Sequence, residues 1–581
     1  MALLRYNLVN DGCFHSVIPQ SAGTHFSPAV FPLLRGRVKI KIKNWRYNMK
    51  RTLALILALV MVMALVACGG DKPTSTPTNP SNPSNPTEPS KPSEPGSSAA
   101  KPQEVSYKKN LVIADSSKMT TMDPQKTSNA IHDILYNLVF NQLVNFSYAT
   151  GEIEPELATE WSVSDDALTW TFKLRKDVTF SNGEPMTADD VVFTFERAKE
   201  TGTSNAADVK QIESVTASDD YTVVMKMASA NMDWLYTMAL CRNAILNREA
   251  CAADPEKGHE IGTGGWKVES WASGDYAKFV QNEKSWVWDG KPTPTETITV
   301  KTMAEASARV IAVQTGEVDY TDGPEIDSIP VLQADKKVKV EISDAETISF
   351  LGFNSDSVKG SDINLRKAIS YAINREEMSL LVDGGYATPC KTLWGRNQYG
   401  YYDNYSDPQE YNLDKAKEYL AKSNYPNGTS IEILGVNAYD RNAEVIQEQL
   451  KALNIDVTVT SIDSAGLSAR VKAKDYEAYF YNKTTAPDGT NLNNLLNYGH
   501  NTNRGHYKNE RVMELLKLAM KETNDAQRKA YYQEVQQITH DEMPYVPMYY
   551  GTLISVYGAN VSGVIRNPNY KHDFTHIVCT K

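Results

Sequence analysis

The chain lacks every short motif that carries nucleotide, protease or esterase chemistry: there is no G-x-x-x-x-G-K-[ST], no complete G-x-G-x-x-G, no H-E-x-x-H and no G-x-S-x-G. GYATPCKT, Gly385 to Thr392, comes nearest to a phosphate loop and has a cysteine where the second glycine is required. Long apolar runs are also missing. The one candidate, Leu53 to Ala67, falls short of the ~20 residues that cross a bilayer. Positive charge is scarce, with a net charge of -11. The first 48 residues hold seven Lys or Arg against one acid and Met49 to Ala67 add two cations, so the remainder carries -19. Nucleic acid and anionic lipid surfaces, both bound through Lys and Arg, are excluded as partners of such a surface. Cysteine is sparse, at six in 581 residues.

What is present begins with MKRTLALILALVMVMALVACGG at Met49. Lys50 and Arg51 form a positive n-region and the apolar run follows, the layout of a secretory signal. Leu65-Val66-Ala67-Cys68 resembles a bacterial lipobox, which implies cleavage before Cys68 and lipidation of its thiol. Residues 1–48 precede that signal without periodicity or cap and read as an upstream extension, with synthesis starting at Met49. From Asp71 to about Glu104 the chain is Pro, Ser, Thr and Asn with almost no large apolar residue, too polar to offset the entropy of folding. Proline at nearly every third position favours an extended tether reaching on the order of 100 Å. Outside the leader and Cys68, four cysteines remain: Cys241, Cys251, Cys390 and Cys579. Three disulfide pairings are open to them, as are free thiols in a chain large enough to need no staples.

About 475 residues follow the tether, more than one core usually holds, so two or three lobes are expected. TWTFKLRKDVTF alternates from Thr169 to Phe180 as a half-buried strand pair turned by SNGEP. TADDVVFTFERAKE predicts a helix capped by Thr187, with Asp189 and Asp190 in its first turn and Val191, Val192, Phe195 and Ala198 buried. KVKVEIS and ISFLGFNS are β-rich, and DINLRKAISYAINREEMSLLVDGG reads as two amphipathic helices. IEILGV, a helix from Arg441 to Leu453, and IDVTVTSID make a β-α-β unit with parallel strands. Helix followed by strand recurs, which gives an α/β or mixed α+β class.

LATEWSVSDDALTWTFKLRKDVTFSNGEPMTADDVVFTFERA, GTGGWKVESW, SARVIAVQTGEVDY, LGFNSDSVKGSDINLRKAISYAINREEM and KAKEYLAKSNYPNG occur in this order. Together they resemble the extracellular solute-binding proteins of peptide-type ABC transporters, the family 5 group of oligopeptide-, dipeptide- and nickel-binding members. The similarity covers most of Asn110 to Tyr550. It implies a three-lobed periplasmic-binding-protein-like fold, type II, cluster C, with two lobes closing about a hinge. Domain I would take about 105–150, 260–340 and 546–581, domain II 151–259 and domain III 341–545. GTGGW and LGFN would lie where the chain crosses between lobes, with glycine supplying unusual backbone angles or an ordinary turn. The resemblance further implies a monomeric, lipid-anchored receptor on the outer face of the cell membrane, without cofactor or catalytic activity. It would capture oligopeptides and deliver them to permease subunits powered by a separate ATPase. A receptor for a sugar, opine or metal chelate is the alternative within the binding class, and a surface hydrolase the alternative outside it.

Relatives hold a peptide's ammonium on an aspartate in a segment like W-x-x-D-Y-x-D-P. Here the corresponding stretch is AYFYNKTTAPDGTNLNN, with Thr484 or Thr485 near the place of the first acid and Asp488 the only carboxylate. Asp488 either supplies the charge from a shifted position or sits in a P-D-G turn bonding local backbone. By the same resemblance Trp394, Phe480 and Tyr481 would wall the cleft, and Thr127, Ser128 and Asn129, in TMDPQKTSN, would contact the ligand from domain I. Arg366 reads as a residue that pins a helix. At the C-terminus His572, His576 and Cys579 have the residue types of a metal cluster, but NYKHDFTHIVCTK has no helix cap and reads as surface. His500 and His506 read as surface residues of a polar loop.

Overall fold

The computed structural model describes residues 105–581 apart from 128–129, 202–203, 408 and 437–438, together with the side chains of 201 and 490–492. The leader, the signal segment, Cys13, Cys68, the tether, Ser128 and Asn129 therefore lie outside the described residues. The strands that matter here are β1 (Asn110–Asp115), β2 (Val144–Ser147), β3 (Glu152–Pro155), β4 (Ala158–Val163), β5 (Thr169–Leu174), β6 (Ile212–Asp219), β7 (Thr222–Met227), β8 (Trp266–Ala272), β9 (Tyr276–Gln281), β10 (Thr297–Thr302), β11 (Tyr320–Asp322), β12 (Val338–Phe353), β13 (Thr388–Pro389), β14 (Thr429–Val436), β15 (Ile455–Ile462), β16 (Ala478–Thr484) and β17 (Tyr545–Gly558). The helices are α1 (Ala130–Val139), α2 (Ala188–Thr201), α3 (Trp234–Met238), α4 (Ile363–Ala372), α5 (Arg375–Asp383), α6 (Leu413–Lys422), α7 (Asp440–Leu450), α8 (Glu510–Ala519) and α9 (Asp525–Glu542).

One mixed sheet runs in the order β15-β14-β16-β12-β17-β11-β1-β10-β9-β8, with β13 beside β17, and β4-β5-β7-β6 form a separate antiparallel sheet. The predicted β-α-β unit is present: β14 and β15 pair in parallel from Thr429↔Ile455 to Val436↔Ile462, joined through α7. The long sheet is held as one by β12 and β17, 16 and 14 residues long. They pair in antiparallel register from Val338↔Gly558 to Asp344↔Thr552, then resume at Ile348↔Tyr550 and shift again between Ser349 and Phe350. On one side of this break β17 pairs β11, and on the other β12 pairs β16. The apolar side chains collect into separate clusters. Trp266, Phe279 and Ile298 pack against α1, Ile433, Ile455 and Leu351 against α4 and α7, and Trp170, Phe172 and Trp234 against α2.

Helix α2 starts as its sequence predicts, and Asp190 reaches back to accept the Thr187 backbone N–H at 2.9 Å. Val191, Phe195 and Ala198 are buried and Val192 is half-buried. Only the first half of the expected 169–180 strand pair forms. β5 pairs with β4 and β7, whereas Thr179 makes a single bridge to Pro185. Arg175 and Asp177, just past the end of β5, close a local ion pair at 2.7 Å. Gly262 and Gly264 do not adopt left-handed angles. A Cβ at either would fall 2.1 or 2.5 Å from the carbonyl oxygens of Val139 and Leu138, so glycine is needed for close approach to the end of α1.

The C-terminal histidines differ from their sequence reading. His572 is fully buried, its Nε2 3.0 Å from Asp322, which also accepts from Ser555 and the Tyr320 hydroxyl. This cluster ties the C-terminal segment to β11 and β17. His576 is exposed, and among the described residues no group of His, Cys, Asp and Glu has a metal-holding arrangement. All four cysteines described are buried and free, which settles the open pairing question. Among the described residues, no helix is long and apolar enough to cross a membrane.

Arg366 does pin a helix. It is 7% exposed, and it donates to the Glu542 and Met543 carbonyls at the end of α9 and to Gly360 O at 2.6 Å. Arg366→Met keeps the stem and strips the donors from buried carbonyls, so chemical denaturation is expected to show a loss on the order of 2–4 kcal/mol. Ligand affinity measured on the folded variant should be unchanged.

Candidate binding crevice

A cavity of about 730 Å³ opens between two groups of segments. The end of α1, β2, β3, Trp286 and the C-terminal stretch from Ile565 line one side, and Asp344 of β12 with Asn397 line the other. It shares Ala149 and Asn397 with a second hollow of about 530 Å³ that reaches Tyr236, Tyr399 and Arg528, and it runs inward to a small polar pocket beside Lys571 and Pro487. The lining is rich in amides, among them Asn137, Asn141, Gln142, Asn145 and Asn567, which offer both donors and acceptors. A volume of this size suits a small solute of drug-like dimensions.

Several sequence-nominated residues lie on strand β16 and in the loop that meets the turn after it. Strand β16 places Tyr479, Tyr481 and Lys483 on one face and Phe480 and Asn482 on the other, as a two-residue period requires. Phe480 is fully buried in the core, its ring 5.8 Å from Tyr439. Tyr481 is half-buried with the Arg504 guanidinium 4.6 Å from its ring centre. Thr484 is exposed and its hydroxyl lies 3.3 Å from that of Thr347. Thr485 is buried, with its backbone N–H donating to Glu346 O and its hydroxyl to the Glu346 carboxylate, both at 2.7 Å. Trp394 is fully buried, and the loop after it reaches the P-D-G turn, where Gln398 donates to Asp488 O at 2.6 Å and Tyr399 N–H to Pro487 O. Asp488 is 4% exposed, and its charge bears on both Lys483 and Tyr236. Burial brings the Lys483 ammonium down to about 8, and Asp488 acts against that fall. Thr127 is half-buried beyond the Asp123–Gln125 turn, which Arg197 of α2 grips. Trp394, Thr485 and Asp488 are thus assembled at one place, while Phe480 and Thr127 sit elsewhere.

Other groups at the crevice carried no signal in the sequence. Asp233, at the start of α3, is fully buried and bonded to Arg528, and it accepts from the Tyr532 hydroxyl at 2.6 Å, both on α9. Met232 N–H donates to Met520 O at 2.9 Å beside it. Burial opposes the Arg528 charge, and Asp233 together with Tyr532, Tyr399 and Tyr236 outweighs it, holding the guanidinium above its ordinary range. Partners nearly 300 positions apart leave no local pattern to read. Across the cavity, Glu156 accepts from Asn141 Nδ2 and from the Gln142 backbone N–H, each at 2.9 Å, and burial pushes its carboxyl up to about 7. In EPELATEW it resembles an ordinary acid beside a strand.

Asp233→Asn leaves a buried guanidinium facing a neutral amide, a change expected to cost about 3–5 kcal/mol. Hydrogen exchange should show α3 and the first half of α9 opening together, with β14 and β15 as protected as before. Unchanged protection in α3 and α9 would show that this pair does not hold the two sides.

A family description, bacterial extracellular solute-binding proteins, family 5 middle, matches residues 152–506. The probable D,D-dipeptide-binding periplasmic protein DdpA of Escherichia coli K12 is 26% identical over 501 residues, 82% of this chain and 94% of that protein. Heme-binding protein A of Haemophilus influenzae is 25% identical over 470 residues, 74% of this chain and 85% of that protein. The solved structure of DppA from Helicobacter pylori in complex with the peptide STSA superposes with a TM-score of 0.64 at 25% identity, covering 82% of this chain and 99% of that one. The match spans more than half of the chain and agrees with the mixed α/β architecture and its ligand-sized crevice. The chain belongs to the bacterial extracellular solute-binding proteins of family 5, the solute-capturing partners of ABC importers, which bind their solute and do not transform it.

Proposed function

We propose that this protein is a monomeric, lipid-anchored receptor that captures oligopeptides outside the cell and passes them to an ABC permease. The observation that carries the reading is the amide-lined cavity of about 730 Å³, because a peptide backbone alternates donors and acceptors that such a wall satisfies without regard to side chains. The peptide named in the complex of the Helicobacter pylori relative and the dipeptides named for DdpA support it. A haem-binding relative shows that family membership alone does not fix the solute. In this reading domains I, II and III take the boundaries given by the resemblance. The break in the β12–β17 pairing is the hinge, and Asp233 with Arg528 closes the crevice from the domain II side. Trp394, Thr485 and Asp488 form the domain III wall, with Tyr481 beside them, and Thr127, Ser128 and Asn129 contribute from domain I.

Two measurements test this. Purified protein is expected to release short peptides on denaturation, read by mass spectrometry. Recovery of a sugar, a tetrapyrrole or a metal chelate without peptide would overturn the peptide reading. Cys68→Ala removes the acceptor of the lipid while leaving the export signal, so the protein should move from the membrane fraction to the medium or remain as uncleaved precursor. Persistence at the membrane at mature mass would contradict the anchor.

A further inference from the structure

Glu156 lines the cavity and is fixed on both sides by backbone. Leu157 N–H donates to Gln142 O at 3.1 Å, Ala158 N–H to Leu143 O at 2.8 Å, and Arg175 N–H to Leu157 O at 2.9 Å. Its two oxygens accept only from neutral donors, Asn141 and Gln142. Among the described residues no lysine, arginine or histidine is bonded to it, and another carboxylate, Asp573, bears on it. Four other acids around the crevice already have a cation. Asp344 pairs with Arg396 at 2.8 Å, Asp133 with Lys571, Asp233 with Arg528, and Asp488 has Lys483 near it. Immediately beside Glu156, the Gln142 side chain is 3% exposed, and its Nε2 is buried with no hydrogen-bond partner while the residue lines the same cavity. A half-buried carboxylate with no cation bonded to it and a buried amide donor with no acceptor are both costly left as they are. One ligand feature satisfies both: a protonated primary amine with a carbonyl oxygen close by.

We propose that Glu156 and Gln142 form the ligand's amine site, Glu156 taking a primary ammonium and Gln142 Nε2 the neighbouring carbonyl, as at the N-terminus of a peptide. This rests on the reading of the crevice as the ligand site and places the amine on the wall opposite Asp488. The other charged groups facing the cavity are Glu154, Asp344, Arg566, Asp573 and His576. Arg566 is turned to Glu341, at 3.2 Å, and to Ser555. A carboxyl that titrates near neutrality must lose its proton to hold a cation, so affinity should rise from pH 5.5 to 7.5 and fall again as the ligand's own α-amine, near 8, deprotonates.

The test is calorimetry on the full protein, freed of carried solute by unfolding and refolding, with tetraalanine, N-acetyl-tetraalanine, an N-acetylated peptide bearing one lysine, putrescine and maltose as probes. At pH 7.5 the wild type should bind tetraalanine about thirtyfold or more tighter than its acetylated form, the size of effect expected on removing one side of a buried charge pair. Glu156→Gln should bind both alike and with a flat pH profile, and Glu156→Asp should weaken binding but keep the pH dependence. Gln142→Leu should weaken tetraalanine by about tenfold. Glu156-dependent binding of the lysine peptide or of putrescine would support the amine site and assign the amine to a side chain or a non-peptide solute, the latter overturning the peptide reading alone. Equal affinity for free and acetylated tetraalanine, wild-type affinity in Glu156→Gln, binding of maltose alone, or failure of every amine probe to bind would overturn the proposal.

Discussion

The structure depends on the pairing of β12 with β17, because these two strands are the only ones in the described sheet that carry it from its β11 side to its β16 side. Their register breaks between Asp344 and Ile348, where β12 holds more residues than β17. A bulge of this kind leaves backbone groups without ladder partners and lets the strand bend. Those groups are satisfied from outside the ladder: Glu346 N–H donates to Pro568 O and Glu346 O accepts from Thr485 N–H, both at 2.7 Å. The bend is therefore tied to the C-terminal segment and to the β16 exit, the two pieces of chain that flank the crevice. In the proposed reading, a change of angle at the bulge alters the crevice, and the bulge is that hinge.

Charge and polarity divide the work around that hinge. Contacts with long sequence separation, such as the ion pair of Asp233 with Arg528 and the approach of His572 Nε2 to Asp322, fasten structural elements to each other. The cavity wall is instead built from amides and from Glu156, whose partners are neutral. Desolvation sets the chemistry there. It raises the carboxyl of Glu156, and it lowers the ammonium of Lys483 on β16, so these groups stand closer to neutrality than the same groups on the surface. A surface this acidic repels anionic partners at long range, and what selects the solute is the small number of groups inside.

Much of the fold was legible because it is local. The parallel β14–β15 unit, the start of α2 at Thr187 and the two helices α4 and α5 follow from periodicity and capping residues that lie within one element. Arg366 was legible as a structural residue because it stands on the buried face of α4. Where the reading failed, a tertiary contact overrode a local pattern. Residues 175–180 alternate like a strand but have no strand to pair with, and His572 has surface composition around it yet is buried by Asp322, about 250 positions earlier. Trp394, Thr485 and Asp488, nominated through the family resemblance, lie near one another around the turn after β16, and the alternation of β16 separates Tyr481 from Phe480. Glu156 and Gln142 could not be chosen from the sequence, because an acid after proline and an amide after a helix are common, and only the cavity distinguishes them.

Closure of two sides of one sheet over a solute at the β12–β17 bulge would change the distance between those sides. Spin labels at Glu200, on α2, and Lys521, after α8, stand on exposed positions of the two sides, and the native cysteines described are buried. Pulsed electron resonance on the labelled protein, with its carried solute and after the solute's removal, reads the distance between them. A single short distance is expected with solute and a second, longer population without it. Identical distance distributions in the two states would contradict closure.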